Sequence, residues 1–171
     1  MAVLQAATSN FHGGLDVRFS ITLMCWVGGQ DGPLVSYGDW GVMVAIEHGK
    51  FLNQMIVNFF KLVTTRTTEV LPVGKWVHVV ASYNYSSGNN WVYINGHLRA
   101  SHKIYGYRIA KGPQRVQMGV KDQFNGYFKG KIAEMKVYEL ALNKVQIQTL
   151  IRQGSSTFSE IIFSLLSLVI P

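Results

Sequence analysis

Between Phe19 and Val27 every second residue is apolar: Phe19, Ile21, Leu23, Cys25 and Val27 alternate with Ser20, Thr22, Met24 and Trp26. Side chains of an extended strand point alternately to opposite faces, so this spacing builds a β-strand with one apolar row. The second row still carries Met24 and Trp26. A strand with bulky residues on both faces is expected in the centre of a sheet, covered on both sides.

Similar segments follow at short intervals. Leu34–Tyr37, Gly41–Glu47, Phe51–Lys61, Thr64–Glu69, Trp76–Tyr85, Asn90–Ile94, His97–Ile104, Val116–Val120 and Tyr127–Tyr138 all read as strands. Turn-forming clusters separate them, among them Gly28–Pro33, His48-Gly49, Ser86–Asn90 and Asn125-Gly126. Asn95-Gly96 is the strongest of these signals. Both central residues of a type I′ turn need positive φ, which Asn and Gly tolerate, so residues 93–98 predict a hairpin. One helix is predicted near the end, capped by Asn143, with apolar residues at Val145, Ile147, Leu150 and Ile151. It would run about two turns and end near Gly154. Many short strands with one short helix predict an all-β sandwich or barrel of two packed antiparallel sheets. No repeat, low-complexity stretch or linker divides the chain. It reads as one domain over residues 1–153, followed by an apolar tail over 154–171.

A chain of 171 residues that is 48 % hydrophobic and 15 % charged can bury a sizeable core and lacks the composition of disorder. Cys25 is the only cysteine, so no intrachain disulfide forms, and its apolar neighbours predict a buried small hydrophobe rather than a reactive thiol. The net charge of +7 is spread over single Lys and Arg residues with no run of four. This pattern reads as a solvated surface rather than a polyanion site, and no nucleic acid is expected as partner. Met1–Ala7 is too short and uncharged for a secretory signal. Residues 161–170 would make a helix of only ~15 Å against a hydrocarbon core of ~30 Å, so no membrane span is expected. The spacer ahead of that tail is too short for a lipid-anchor signal, and a packed terminal segment or a truncated end is the expectation.

Three stretches resemble a known family when taken together: Phe19–Val27; Gly74-Lys75-Trp76-Val77-His78-Val79-Val80-Ala81-Ser82-Tyr83 continuing through Trp91-Val92-Tyr93-Ile94-Asn95-Gly96; and Tyr127–Tyr138 with Ala141-Leu142 and the short helix. Their order and spacing resemble the laminin-G-like domains of the concanavalin A-like lectin/glucanase superfamily over roughly Asp16 to Arg152. The resemblance implies a jelly-roll sandwich of two curved antiparallel sheets with one short C-terminal helix. It also implies a secreted or cell-surface setting and a binding or adhesion role, with a glycan or an extracellular protein as ligand. The superfamily includes glucanases as well, so a glycan hydrolase is the alternative. Two departures matter. The opening stretch Thr8–Gly14 lacks the acid of the family's Phe-Asp-Gly-like motif, and Ala133 stands where the Gly-x-Ile-Asp pattern carries one. Calcium favours several carboxylate oxygens, so no calcium site of the family type is expected.

Glycoside hydrolysis needs two carboxylates ~5–10 Å apart. Of the nine acids, only Glu134 and Glu139 share an element, and an offset of five turns them to opposite faces. The five histidines form no ligand-spaced pair with an acid. The expectation is therefore no enzyme, no metal and no cofactor. His78 is expected to be packed in or near the core on the face of Trp76. Aromatic side chains give the binding candidates, since sugars present apolar C–H faces that stack on them. Trp40 follows the polar turn Ser36–Asp39, and Tyr105 and Tyr107 flank Gly106 beside Arg108. Trp40 could equally cover a sheet edge. Trp26, Trp76 and Trp91 are assigned to the core. Asn84-Tyr85-Ser86 is an N-glycosylation sequon, with Asn84 entering a polar turn; such a triplet also arises by chance.

Overall fold

A computed structural model describes residues 20–29, 31–37, 42–57, 61–105, 116–121 and 126–153. Twelve strands occur among them: β1 (Ile21–Gly29), β2 (Gly32–Tyr37), β3 (Val42–Glu47), β4 (Lys50–Val57), β5 (Lys61–Arg66), β6 (Val77–Asn84), β7 (Asn89–Ile94), β8 (His97–Lys103), β9 (Val116–Met118), β10 (Val120–Lys121), β11 (Gly126–Tyr127) and β12 (Gly130–Tyr138). One helix, α1, spans 144–153. The first sheet has the order β12-β1-β6-β7-β8 and the second β5-β4-β3-β2-β9, with β10 and β11 forming a small ribbon. All pairings are antiparallel. This is a jelly-roll sandwich.

The alternation in β1 does what its pattern requires. Ile21, Leu23, Cys25 and Val27 enter the layer between the sheets with Val77, Val79, Ala81 and Tyr83 of β6. They meet Val42, Val44, Ile46, Phe51 and Met55 of the second sheet. The other row of β1 is also covered. Met24 packs with Val80 and Tyr93 against Leu142 and Ile147, so α1 lies on the outer face of the first sheet. Thr22 pins this cover: its hydroxyl donates to the Leu140 carbonyl at 2.8 Å and accepts from the Leu142 amide at 2.9 Å. Ser82 adds a 3.0 Å bond to the same hydroxyl.

Asn143 caps α1 as expected, and reciprocally. The Gln146 amide donates to Asn143 Oδ1, and Gln146 Oε1 accepts from the Asn143 amide. The helix is longer than two turns, and Val145 is 71 % exposed because only Ile147, Leu150 and Ile151 share the inward side. Asn95 and Gly96 have φ of 50° and 74°, the type I′ pair that joins β7 to β8. Several strand boundaries differ from expectation: the strand expected at Thr64–Glu69 lies at Lys61–Arg66, Val116–Val120 is divided at Gly119 into β9 and β10, and two longer stretches are broken. Residues 51–61 are not one strand: β4 ends at Val57 and β5 returns from Lys61, pairing Arg66 with Leu52. The stretch from Tyr127 to Tyr138 is broken at Phe128-Lys129, whose amides are taken by Gly119 and Asp31 as the chain leaves one pairing for another.

Cys25 is buried, and desolvation pushes its thiol up to about 12, in keeping with an inert packing residue. His78 is buried on the outer face of the first sheet, edge-on to Trp26 with ring centroids 5.1 Å apart.

Candidate functional site

Of the four aromatic and basic residues expected to touch a ligand, Tyr105 is described; Trp40, Tyr107 and Arg108 lie outside the described residues. Tyr105 stands at one end of the sandwich, where the β6–β7 turn meets the end of β8. Asn84 pairs with Asn89 across that turn, and the Ser87 amide donates to Asn84 Oδ1 at 3.1 Å. Gly88 closes the turn, and its carbonyl accepts from the Ile104 amide at 2.7 Å. Tyr83 reinforces the junction by donating its hydroxyl to the Ile104 carbonyl. The backbone leading into Tyr105 is thereby fixed on both sides. Tyr105 stays 69 % exposed, with the Lys103 ammonium 5.4 Å from the ring centroid. A sequon asparagine and an exposed aromatic–cation pair thus share one rim.

The described acids are held singly. Glu47 pairs with Arg66 on the outer face of the second sheet. Glu69 pairs with Arg99 at 2.9 Å, and Glu134 with Lys136 at 3.8 Å. Asp31 accepts from the amides of His48 and Gly49, both at 2.8 Å, and so clasps the β3–β4 turn. Glu134 sits at a β-bulge with φ of 49°, opposite the Met24–Trp26 irregularity of β1, and Glu139 lies exposed beyond the end of β12. Among the described residues no cluster of three or more His, Cys, Asp or Glu side chains could hold a metal.

One assignment is corrected. Trp76 is not a core residue: it is 45 % exposed. It precedes β6 with the parity of His78, so it belongs to the outer face, while its neighbour Val77 points inward. Its indole lies on Gly28, whose added Cβ would meet the ring at 3.5 Å. Gly28 in turn pairs with Lys131 of β12, which is exposed. Trp76, Gly28 and Lys131 therefore form a row across the first sheet. Next to it runs a second row of His78, Trp26 and Ala133. Trp26 and Trp91 are partly buried. The signal that could have found Trp76 is its place one residue before a strand whose odd positions carry the core.

A laminin-G family model, described as the concanavalin A-like lectin/glucanases superfamily, matches residues 14–148. No curated protein matches the chain. Solved structures share the fold at low identity. The native heptameric SAP-like pentraxin from Limulus polyphemus superposes with a TM-score of 0.65 at 16% identity, over 86% of this chain and 72% of that one. The binding domain of botulinum neurotoxin serotype G gives 0.68 at 18%, over 89% of this chain and 40% of the toxin domain. The Ruminococcus gnavus IT-sialidase CBM40, bound to α2,3-sialyllactose, gives 0.66 at 15%, over 78% and 83%.

Proposed function

We propose that this chain, which belongs to the concanavalin A-like lectin/glucanase superfamily as a laminin-G-type domain, is a non-catalytic binding or adhesion module working outside the cell or at its surface. Its ligand is a carbohydrate or a matrix protein. The observation that carries this reading is the exposed Tyr105 with Lys103 beside it, set on a rim whose backbone is pinned by hydrogen bonds. Such a rim offers a stacking face and a cation without needing to rearrange. The separate pairing of Glu47, Glu69 and Glu134 with basic partners favours binding over hydrolysis, which would need two cooperating acids. The sialyllactose bound to the Ruminococcus gnavus domain supports carbohydrate as the first class to test.

Trp40, Tyr107 and Arg108 join Tyr105 in the proposed ligand set, and Asn84 on the same rim is the proposed glycosylation site. No helix among the described residues is long and apolar enough to cross a membrane. The test is a glycan array together with a pull-down on matrix extracts, using the folded chain and Tyr105→Ala. The reading expects a ligand whose capture weakens in Tyr105→Ala. Silence on both assays overturns it. Release of reducing sugar that disappears in Glu134→Gln would replace it with the hydrolase. Secretion from eukaryotic cells should give an N-glycosidase-sensitive mass that Asn84→Gln removes.

A further inference from the structure

The outer face of the first sheet is divided. One part is covered by α1 and the segment before it, through Leu142, Ile147, Leu150 and Ile151 on Met24, Val80, Tyr93, Trp91 and Tyr138. The neighbouring part carries the rows Trp76–Gly28–Lys131 and His78–Trp26–Ala133 and has no place in that cluster. We propose that this second part is a binding site for an anionic sugar, with Trp76 as the stacking platform and Lys131 as the charge partner. The proposal rests on the reading of the chain as a glycan-binding module and adds to it a surface and a ligand class.

Three features support it. First, Trp76 is held in place from beneath, its indole resting on the Gly28 backbone, while 45 % of the residue remains in water. A large aromatic fixed on one side and wet on the other presents a flat apolar surface that a sugar's C–H face can cover. Second, His78 and Trp26 form a packed floor beside it, edge to face at 5.1 Å, so the platform is bounded rather than isolated. Third, a cation stands in register with the platform. Lys131 lies on the same face, two strands across, so the two backbones are roughly 10 Å apart at ordinary strand spacing. Lys131 makes no ion pair with another described residue, whereas Lys136, opposite Met24 two rows along, is answered by Glu134. A pyranose stacked on Trp76 would bring a carboxylate or sulfate toward the unanswered ammonium, and a neutral sugar would leave that ammonium unused. Lys75, the exposed residue just before Trp76, adds to the positive field.

The experiment is a glycan array printed with neutral, sialylated, uronic-acid and sulfated oligosaccharides. The strongest anionic hit is then titrated into the wild-type chain, Trp76→Ala, Lys131→Glu and Lys131→Arg. Thermal melting and near-UV circular dichroism establish that each variant is folded. Trp76→Ala and Lys131→Glu should each weaken binding tenfold or more, Lys131→Arg should retain it, and added salt should weaken the wild type. Lys131 is exposed, so its variants keep the test meaningful even if Trp76→Ala fails to fold. Anionic binding that survives Lys131→Glu overturns the assignment and leaves the module reading intact, as does equal binding of neutral counterparts or binding only to a matrix protein. No binding of any glycan or matrix protein by the folded wild type overturns both.

Discussion

Asn53 of β4 donates through Nδ2 to Oδ1 of Asn90 of β7 at 2.7 Å, a hydrogen bond that joins the two sheets inside the core. Asn90 passes the connection on, donating to Thr65 of β5 at 3.0 Å. All three residues are buried, and Asn53 Oδ1 has no partner among the described residues. A buried polar group that loses its partner costs the desolvation it has already suffered. Asn90→Ala strands the Asn53 amide and removes the donor to Thr65 together, and should destabilise the protein by about 2–4 kcal/mol. Urea unfolding of Asn90→Ala, Asn53→Ala and the double variant checks this. The double variant should lose less than the sum of the singles.

Thr22 ties the segment that leads into α1 to the first sheet through its hydroxyl. Thr22→Val keeps the shape and leaves the Leu140 carbonyl and the Leu142 amide without their partner. A loss of about 2–3 kcal/mol is expected, with two groups affected. The loss should be local first: hydrogen exchange should accelerate in α1 more than in β6, because Thr22 ties the segment that leads into the helix.

His78 makes stability depend on pH. Burial, and then repulsion from Lys136, push its imidazole down from 6.5 to about 4. Below pH 6.5 the unfolded chain takes up a proton that the folded chain refuses. The contribution is therefore complete above pH 6.5 and is lost as pH falls toward 4, by about 3 kcal/mol in all. Unfolding free energies of wild type and His78→Gln from pH 7.5 to 4 should converge or cross as acid is added. A constant gap between the two would contradict the burial of a neutral ring.

Gly29 and Gly130 face each other where β1 meets β12. A Cβ on Gly29 would come 2.7 Å from the Gly130 Cα and 2.7 Å from the Lys129 carbonyl, both backbone atoms that cannot swing away. Gly28 next door has ordinary contact distances to the Trp76 ring. Gly29→Ala should therefore cost about 3 kcal/mol or more, and Gly28→Ala less than about 1 kcal/mol. Melting temperatures of the pair, measured side by side, distinguish the two.

The core of β1 was readable because its two-residue period states which side chains turn inward, and the cap at Asn143 because a short polar side chain before an apolar run has few other uses. The Asn95-Gly96 turn was readable for the same local reason: positive φ at both positions narrows the choice of residues. Asn90 was not. It lies beside a polar turn and gives no local sign of being buried; only the opposite sheet, through Asn53 and Thr65, explains it. The break between β4 and β5 carries no Gly or Pro within 56–62, so alternation alone ran through it. Trp76 and Lys131 share a row only because both flank Gly28, a matter of register between β1 and its two neighbours. Among the candidate ligand residues, Tyr105 stands out in the sequence by its setting near Gly106 and Arg108. That Lys103 lies over its ring is legible only from the structure, since in the sequence Lys103 reads as an ordinary strand residue.

The place of β1 between β6 and β12 sets the order in which the molecule can be made. Thr22 pairs with Ser82 on one side and with Tyr138 on the other. A nascent chain leaving the ribosome can close its β2–β3–β4–β5 hairpins early, yet its first described strand stays half-paired until β12 has emerged. Completion of the fold must wait for nearly the whole domain to be synthesised, and slow, late closure is the expected kinetic signature.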